Sequence, residues 1–141
     1  MKTIKGSKGG NSDKPVAKPK RSGKSTVAIN EKAKTVKVNG HLLKLTNQNK
    51  VYWPKDGFTK GDVLEYYNSI SKYILPYLKD RPQSLKRNPN GITDKGFFHK
   101  DAGDQAPDWV DHVKLYSESA KKEINYIVCN DKATLLYLNN L

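Results

Sequence analysis

Lys50 and Lys60 stand ten residues apart, on either side of an aromatic-proline turn in the stretch NQNKVYWPKDGFTKGD (47–62). Lys60 falls where a helix should begin. A helix start offers unpaired backbone N–H groups and the positive end of the helix dipole, which together favour a phosphate, and a lysine in the first turn adds a full charge. The same cation is unfavourable there by about 0.3–1 kcal/mol unless an anion offsets it. Two solvated surface lysines are the plainer alternative.

The remaining candidates are weaker. Lys86-Arg87 lies in a predicted strand, where neighbours point to opposite faces, so one would face a cleft and the other solvent. Charge protection of a strand edge explains the pair equally well. Phe97-Phe98 has the same geometry: one ring should enter the core, and an exposed ring beside basic residues is what base stacking needs. For either ring taken alone, core packing is the better expectation. His41, His99 and His112 are scattered, without the paired spacing of a zinc site. No two acidic residues are separated by a single residue, so the Asp-x-Asp pair that holds two metal ions in nucleotidyl transfer is missing from the sequence. There is no Gly-rich phosphate loop and no nucleophile signature. The pattern points to binding rather than to chemistry. Trp53, Trp109 and the eight tyrosines are sufficiently explained as core.

These residues need elements to position them. Val36 and Val38 alternate with polar residues, Asn39-Gly40 supplies a two-residue turn, and Leu43 and Leu45 alternate on the return, which predicts a hairpin over 35–45. A helix is predicted over 59–80, opened by Thr59 with Asp62 three residues on, and carrying Val63, Tyr67, Ile70, Ile74 and Leu78 on one face. Pro76 should kink or shorten its last turn. Two short strands, 83–88 and 95–101, should flank the Pro89-Asn90-Gly91 turn. A Pro-started helical turn is expected at 107–113. A second hairpin should follow, 113–119 with 122–130, its second arm apolar on both faces like a central strand. A final helix opens at Asn130 or Asp131 and carries no C-cap, which suggests a piece of a longer polypeptide.

The chain has 141 residues, room for one domain with a modest core. Its formal charge is +12. Residues 1–34 hold ten basic residues against two acids, so eight of the twelve net charges sit there. With few large apolar side chains, that segment reads as a flexible basic linker or tail, and 35–141 as the folded part. Such a balance favours polyanion partners, nucleic acid above all, through counterion release. Cys129 is the sole cysteine, so no internal disulfide can form, and a reducing cytoplasmic setting is expected. No apolar run reaches the roughly 18 residues of a membrane span, and the N-terminus lacks a secretion signal.

Four blocks, LTNQNKVYWPKDGFTKGDVLEYY, LPYLKDRPQSLKRNPNGI, GFFHKDAGDQAPDWV and NDKATLLYLNNL, together resemble the polymerase/primase module of bacterial ATP-dependent DNA ligase D, the repair enzyme that works with Ku in non-homologous end joining. The resemblance covers about residues 36–141, in order and with the family's spacings. It implies an α+β fold, a mixed sheet with packed helices equivalent to the first half of an archaeo-eukaryotic primase-type polymerase. It further implies that Asn47, Lys50 and Lys60 hold the 5′-phosphate at a DNA gap or break, and that Phe97 and Phe98 stack on the template. Lys86 and Arg87 would lie toward the nucleotide and template, Lys86 being the nucleotide contact. For the complete module it implies a divalent metal (Mn or Mg) and nucleotide triphosphates, with Ku and neighbouring ligase and nuclease modules as partners. The family continues into an Asp-x-Asp motif absent before Leu141, so this stretch corresponds to the DNA-end-holding half, expected to be inactive by itself. The rival expectation is a non-catalytic interaction module whose basic tail alone binds nucleic acid.

Overall fold

Asn39 and Gly40 both adopt positive φ, 49° and 85°, the pairing that a two-residue turn needs to match the twist of its strands. They join β1 (Ala33–Val38) to β2 (His41–Thr46) in an antiparallel ladder with Val38 opposite His41. Alternation then sorts the faces: Leu43 and Leu45 are buried, whereas Leu42 and Lys44 are exposed. The computed structural model describes residues 33–103 and 105–141. Nearly all of the expected basic tail, residues 1–32, lies outside the described residues, and β1 takes up positions 33 and 34.

A short irregular ladder, β3 (Val51–Trp53) with β4 (Phe58–Thr59), leads into α1 (Lys60–Leu78). The expected capping box is complete. The Thr59 N–H donates to Asp62 Oδ2 at 2.8 Å, and the Asp62 N–H donates to Thr59 Oγ1 at 3.2 Å. The helix runs two residues past Pro76, where the Lys79 N–H closes the last turn on the Leu75 carbonyl, and Asp80 at φ 59° turns the chain away. The proline removes one ladder bond, and the helix continues past it.

β5 (Leu85–Arg87) pairs with β6 (Phe97–His99), and β7 (His112–Ser117) with β8 (Lys122–Ile127), all antiparallel. The helical turn expected over 107–113 is instead one turn closed by the Val110 N–H on the Pro107 carbonyl. The next carbonyl, Asp111, accepts from the Val128 N–H, which draws the chain out straight into β7. β8 also has neighbours on its other side: the Gln83 N–H donates to the Ile127 carbonyl, and the Ala102 N–H to the Asn125 carbonyl. That two-sided setting is what its doubly apolar sequence anticipates. α2 (Lys132–Asn140) is capped by Asp131, whose Oδ1 accepts the Thr134 N–H at 2.7 Å.

α2 is the hub of the interior. Ala133 and Leu136 face the first hairpin, meeting Leu43, Leu45 and the α1 residue Leu64. Leu135 and Leu138 face the other way, into a second cluster with Val110, Ile127 and Cys129. A short helix apolar on both sides is one that must be enclosed. The architecture is α+β, with four two-stranded ladders as its sheet component. The core reading of the aromatics holds for Trp109 but fails for Tyr66, Tyr73 and Tyr77, which lie exposed along the outer side of α1.

Candidate nucleic-acid interface

β2 ends at Thr46, and the next residue, Asn47, takes φ 52° and starts a turn that the Lys50 N–H closes on the Asn47 carbonyl at 3.0 Å. Asparagine tolerates this left-handed conformation better than most residues. The turn is fastened to α1 by two backbone bonds of 2.8 Å: the Lys60 N–H to the Lys50 carbonyl, and the Gly61 N–H to the Gln48 carbonyl. Gly61 eases that approach, since an added Cβ would stand 3.2 Å from the Gln48 carbonyl oxygen and push it back by a few tenths of an ångström. Gln48 Nε2 is buried with no acceptor among the described residues.

This corrects one expectation about the helix start. With Thr59 Oγ1 accepting from Asp62, the first three amides of α1 already have partners, so positive charge here comes from side chains and not from open N–H groups. Lys60 is buried, at 4% exposure. Its ammonium donates to the Asn140 carbonyl in the last turn of α2, with Thr46 Oγ1 a weaker acceptor at 3.4 Å. These two acceptors offset part of the cost of burying the charge. Lys50 is exposed, and its Nζ lies 3.4 Å from Asn90 Oδ1.

Arg87 completes a cationic group. Burial lowers the proton affinity of Lys60 below its ordinary value, and the charges of Arg87 and Lys50 lower it further. Among the described residues none of these three is ion-paired. Arg87 Nη1 lies 3.1 Å from His99 Nδ1, and because guanidinium can only donate, that ring nitrogen must be the acceptor. The Arg87 charge also opposes the upward push that burial gives the phenols of Tyr52 and Tyr137. Arg87 and Lys86 both border an open cleft of about 460 Å³ between β3, α1, β5 and the end of α2, with Tyr52, Trp53, Val63 and Leu138 among its walls.

The two phenylalanines depart from the core expectation. Phe97 is 49% exposed and Phe98 68%. The two rings lie on opposite faces of the β5–β6 ladder, and both reach solvent. Phe97 pairs with Arg87 and Phe98 with Lys86, so each ring has a cation opposite it on the same face. Sequence reasoning missed Asn90 and Asn140, whose contacts span 40 and 80 or more positions. The Asn-Gly pair marked the Asn90 turn, but nothing local marked Asn140. Among the described residues no three His, Cys, Asp or Glu side chains come together as a metal site. The divalent ion implied for a complete module therefore finds no fitting donor set among them.

With this geometry in view, the relationships are clear. The family model described as LigD, primase-polymerase domain, matches residues 59–141. The chain is 33% identical over 96 residues to the multifunctional non-homologous end joining protein LigD of Mycolicibacterium smegmatis, covering 68% of this chain and 12% of that protein. It is 38% identical over 98 residues to the bifunctional non-homologous end joining protein LigD of Bacillus subtilis, covering 70% and 15%. A solved polymerase domain from Mycobacterium tuberculosis ligase D in complex with DNA superposes with TM-score 0.65 at 30% identity, over 70% of this chain and 33% of that one. The fold is thus the archaeo-eukaryotic primase type. The chain belongs to the LigD primase-polymerase family, and spans about an eighth of the length of those curated relatives.

Proposed function

We propose that this chain is the DNA-end-holding part of a ligase D polymerase module, acting in non-homologous end joining, and that Asn47, Lys50 and Lys60 receive the 5′-phosphate of a gap or break. The observation that carries the reading is the fastening of the Asn47–Lys50 turn to the first amides of α1, which sets exposed Lys50 beside buried Lys60, with none of Lys50, Lys60 and Arg87 ion-paired among the described residues. Gathering like charges against partial burial costs free energy, and a bound phosphate returns it. Lys60 directs two of its three N–H groups at Asn140 and Thr46, which leaves one for a ligand oxygen. Asn47 and Lys50 are exposed on the turn beside it.

Phe97 and Phe98 suit the unpaired template strand, since exposed rings flanked by cations stack on bases without regard to sequence. Lys86 and Arg87 then face the nucleotide and template side. Phosphoryl transfer needs acidic metal ligands, and with no Asp-x-Asp pair in this sequence the reading expects end binding without primer extension from this stretch.

The test is binding to gapped DNA with and without a 5′-phosphate. The wild-type chain should prefer the phosphorylated gap, and Lys50→Ala, an exposed change with little effect on stability, should remove most of that preference. Equal binding of both DNAs by the wild type would sink phosphate recognition. Deleting residues 1–32, which spares β1, should weaken salt-sensitive affinity for both DNAs and leave the preference intact. Loss of all binding would instead favour a tail-only binder.

A further inference from the structure

Asn140 occupies an unusual place between the first hairpin and the lysines. In a hairpin closed by a two-residue turn, the pair flanking the turn exchanges hydrogen bonds, and every second pair after it does not. Counting from Val38–His41, the N–H and C=O groups of Lys44 and Thr46 point away from β1, toward the open edge of β2. The Asn140 side chain meets that edge as a strand would. Its Nδ2 donates to the Lys44 carbonyl at 2.9 Å, and its Oδ1 accepts from the Thr46 N–H at 3.0 Å. One amide satisfies two edge groups of β2 immediately before the Asn47 turn. Its own backbone carbonyl receives the Lys60 ammonium.

We infer that Asn140 is a positioning residue for the phosphate site: its side chain fixes the entry to the Asn47–Lys50 turn and, through its carbonyl, where the Lys60 ammonium stands. The inference rests on the phosphate reading above, and it adds a residue 80 positions from Lys60 that acts through the turn and the lysine it holds. Two anchors define the turn. The exit is held by the α1 amides of Lys60 and Gly61, and the entry by Asn140. Without the second anchor, Thr46 and Asn47 swing with the edge of β2, and Lys60 loses a fixed acceptor. The placement of Lys50 relative to Lys60 is then no longer fixed.

The experiment measures the affinity ratio for 5′-phosphorylated over unphosphorylated gapped DNA in the full chain, alongside a thermal melt. Asn140→Ala should cut the ratio by about fivefold, the size of one misplaced charge-assisted contact, while affinity for the unphosphorylated gap changes little. Asn140→Asp, nearly the same shape, keeps an acceptor for the Thr46 N–H but cannot donate to Lys44. It carries the test if the alanine variant melts below assay temperature, and it too should lower the ratio. A purely structural role would lower both affinities together and leave the ratio as in wild type, which overturns the inference. A wild-type ratio of one overturns the inference and the phosphate reading together. A high wild-type ratio that survives both substitutions overturns the inference alone.

Discussion

Arg87 and Phe97 face each other across the β5–β6 ladder, with the guanidinium carbon 5.6 Å from the ring centroid. The next pair along, Lys86 and Phe98, repeats the arrangement on the opposite face. A two-stranded ladder that displays an aromatic ring and a cation on each side has the ingredients of a stacking platform and little to lose from changing them.

Phe97→Ala and Phe98→Ala should therefore move stability by no more than about 0.5 kcal/mol, as for other exposed positions. Affinity for a recessed duplex with a single-stranded template overhang should fall by about 1–3 kcal/mol for each stacked base lost. Fluorescence anisotropy on that substrate, with a melt of each variant, separates the two effects. Unchanged overhang affinity in the double variant would remove the rings from the interface.

Lys60 predicts a pH dependence of stability. Its folded-state proton affinity is lowered, first by burial and then by Arg87 and Lys50. Between that lowered value and the ordinary lysine value of about 10.5, the folded chain has released a proton that the unfolded chain keeps, so this group makes stability rise with pH through the alkaline window. Lys60→Met should abolish that rise. Tyr52 and Tyr137, whose phenols burial pushes up, act in the opposite sense at higher pH and are common to both proteins. Urea unfolding of both, from about pH 8 to about pH 10.5, isolates the lysine as the difference between the curves. Parallel curves would mean that its ammonium is not desolvated.

Gly91 is a third test. It has φ +99°, and a Cβ there would lie 2.9 Å from the Tyr52 carbonyl oxygen, the atom that accepts the Ile92 N–H. Gly91→Ala should destabilise the fold by about 1–3 kcal/mol, as expected for a side chain forced into that region against a fixed carbonyl. Because Asn90 is its neighbour and lies beside Lys50 Nζ, the variant should also weaken preference for a 5′-phosphate. An unaltered denaturation midpoint would show that the loop can retreat.

What the sequence disclosed follows the range of the forces involved. The Asn39-Gly40 hairpin, the Thr59/Asp62 cap and the Asp131 cap are each decided within four residues, and all three appear where they were expected. The stretch at 107–113 was misread because Pro107 does open a turn, but a bond from Val128 pulls the chain straight afterwards. The exposure of both phenylalanines depends on what fails to cover the β5–β6 ladder, and no local pattern encodes a missing neighbour. Lys50 and Lys60 were singled out by their places on either side of a turn leading into a predicted helix start, whereas Asn140 looks like any polar residue near a helix end. Its significance comes from the β2 edge it meets more than ninety positions earlier.

Cys129 has a practical use that follows from where it sits. It is wholly enclosed beneath α2, and burial, aided by the Asp131 carboxylate, pushes its thiol up to about 12. Reagents that attack thiolates should ignore it in the native molecule at neutral pH and modify it only when the interior opens. A native single-cysteine chain of this kind is its own reporter. The rate of alkylation, followed with and without a DNA end, gives the frequency of that opening and how far an occupied site suppresses it.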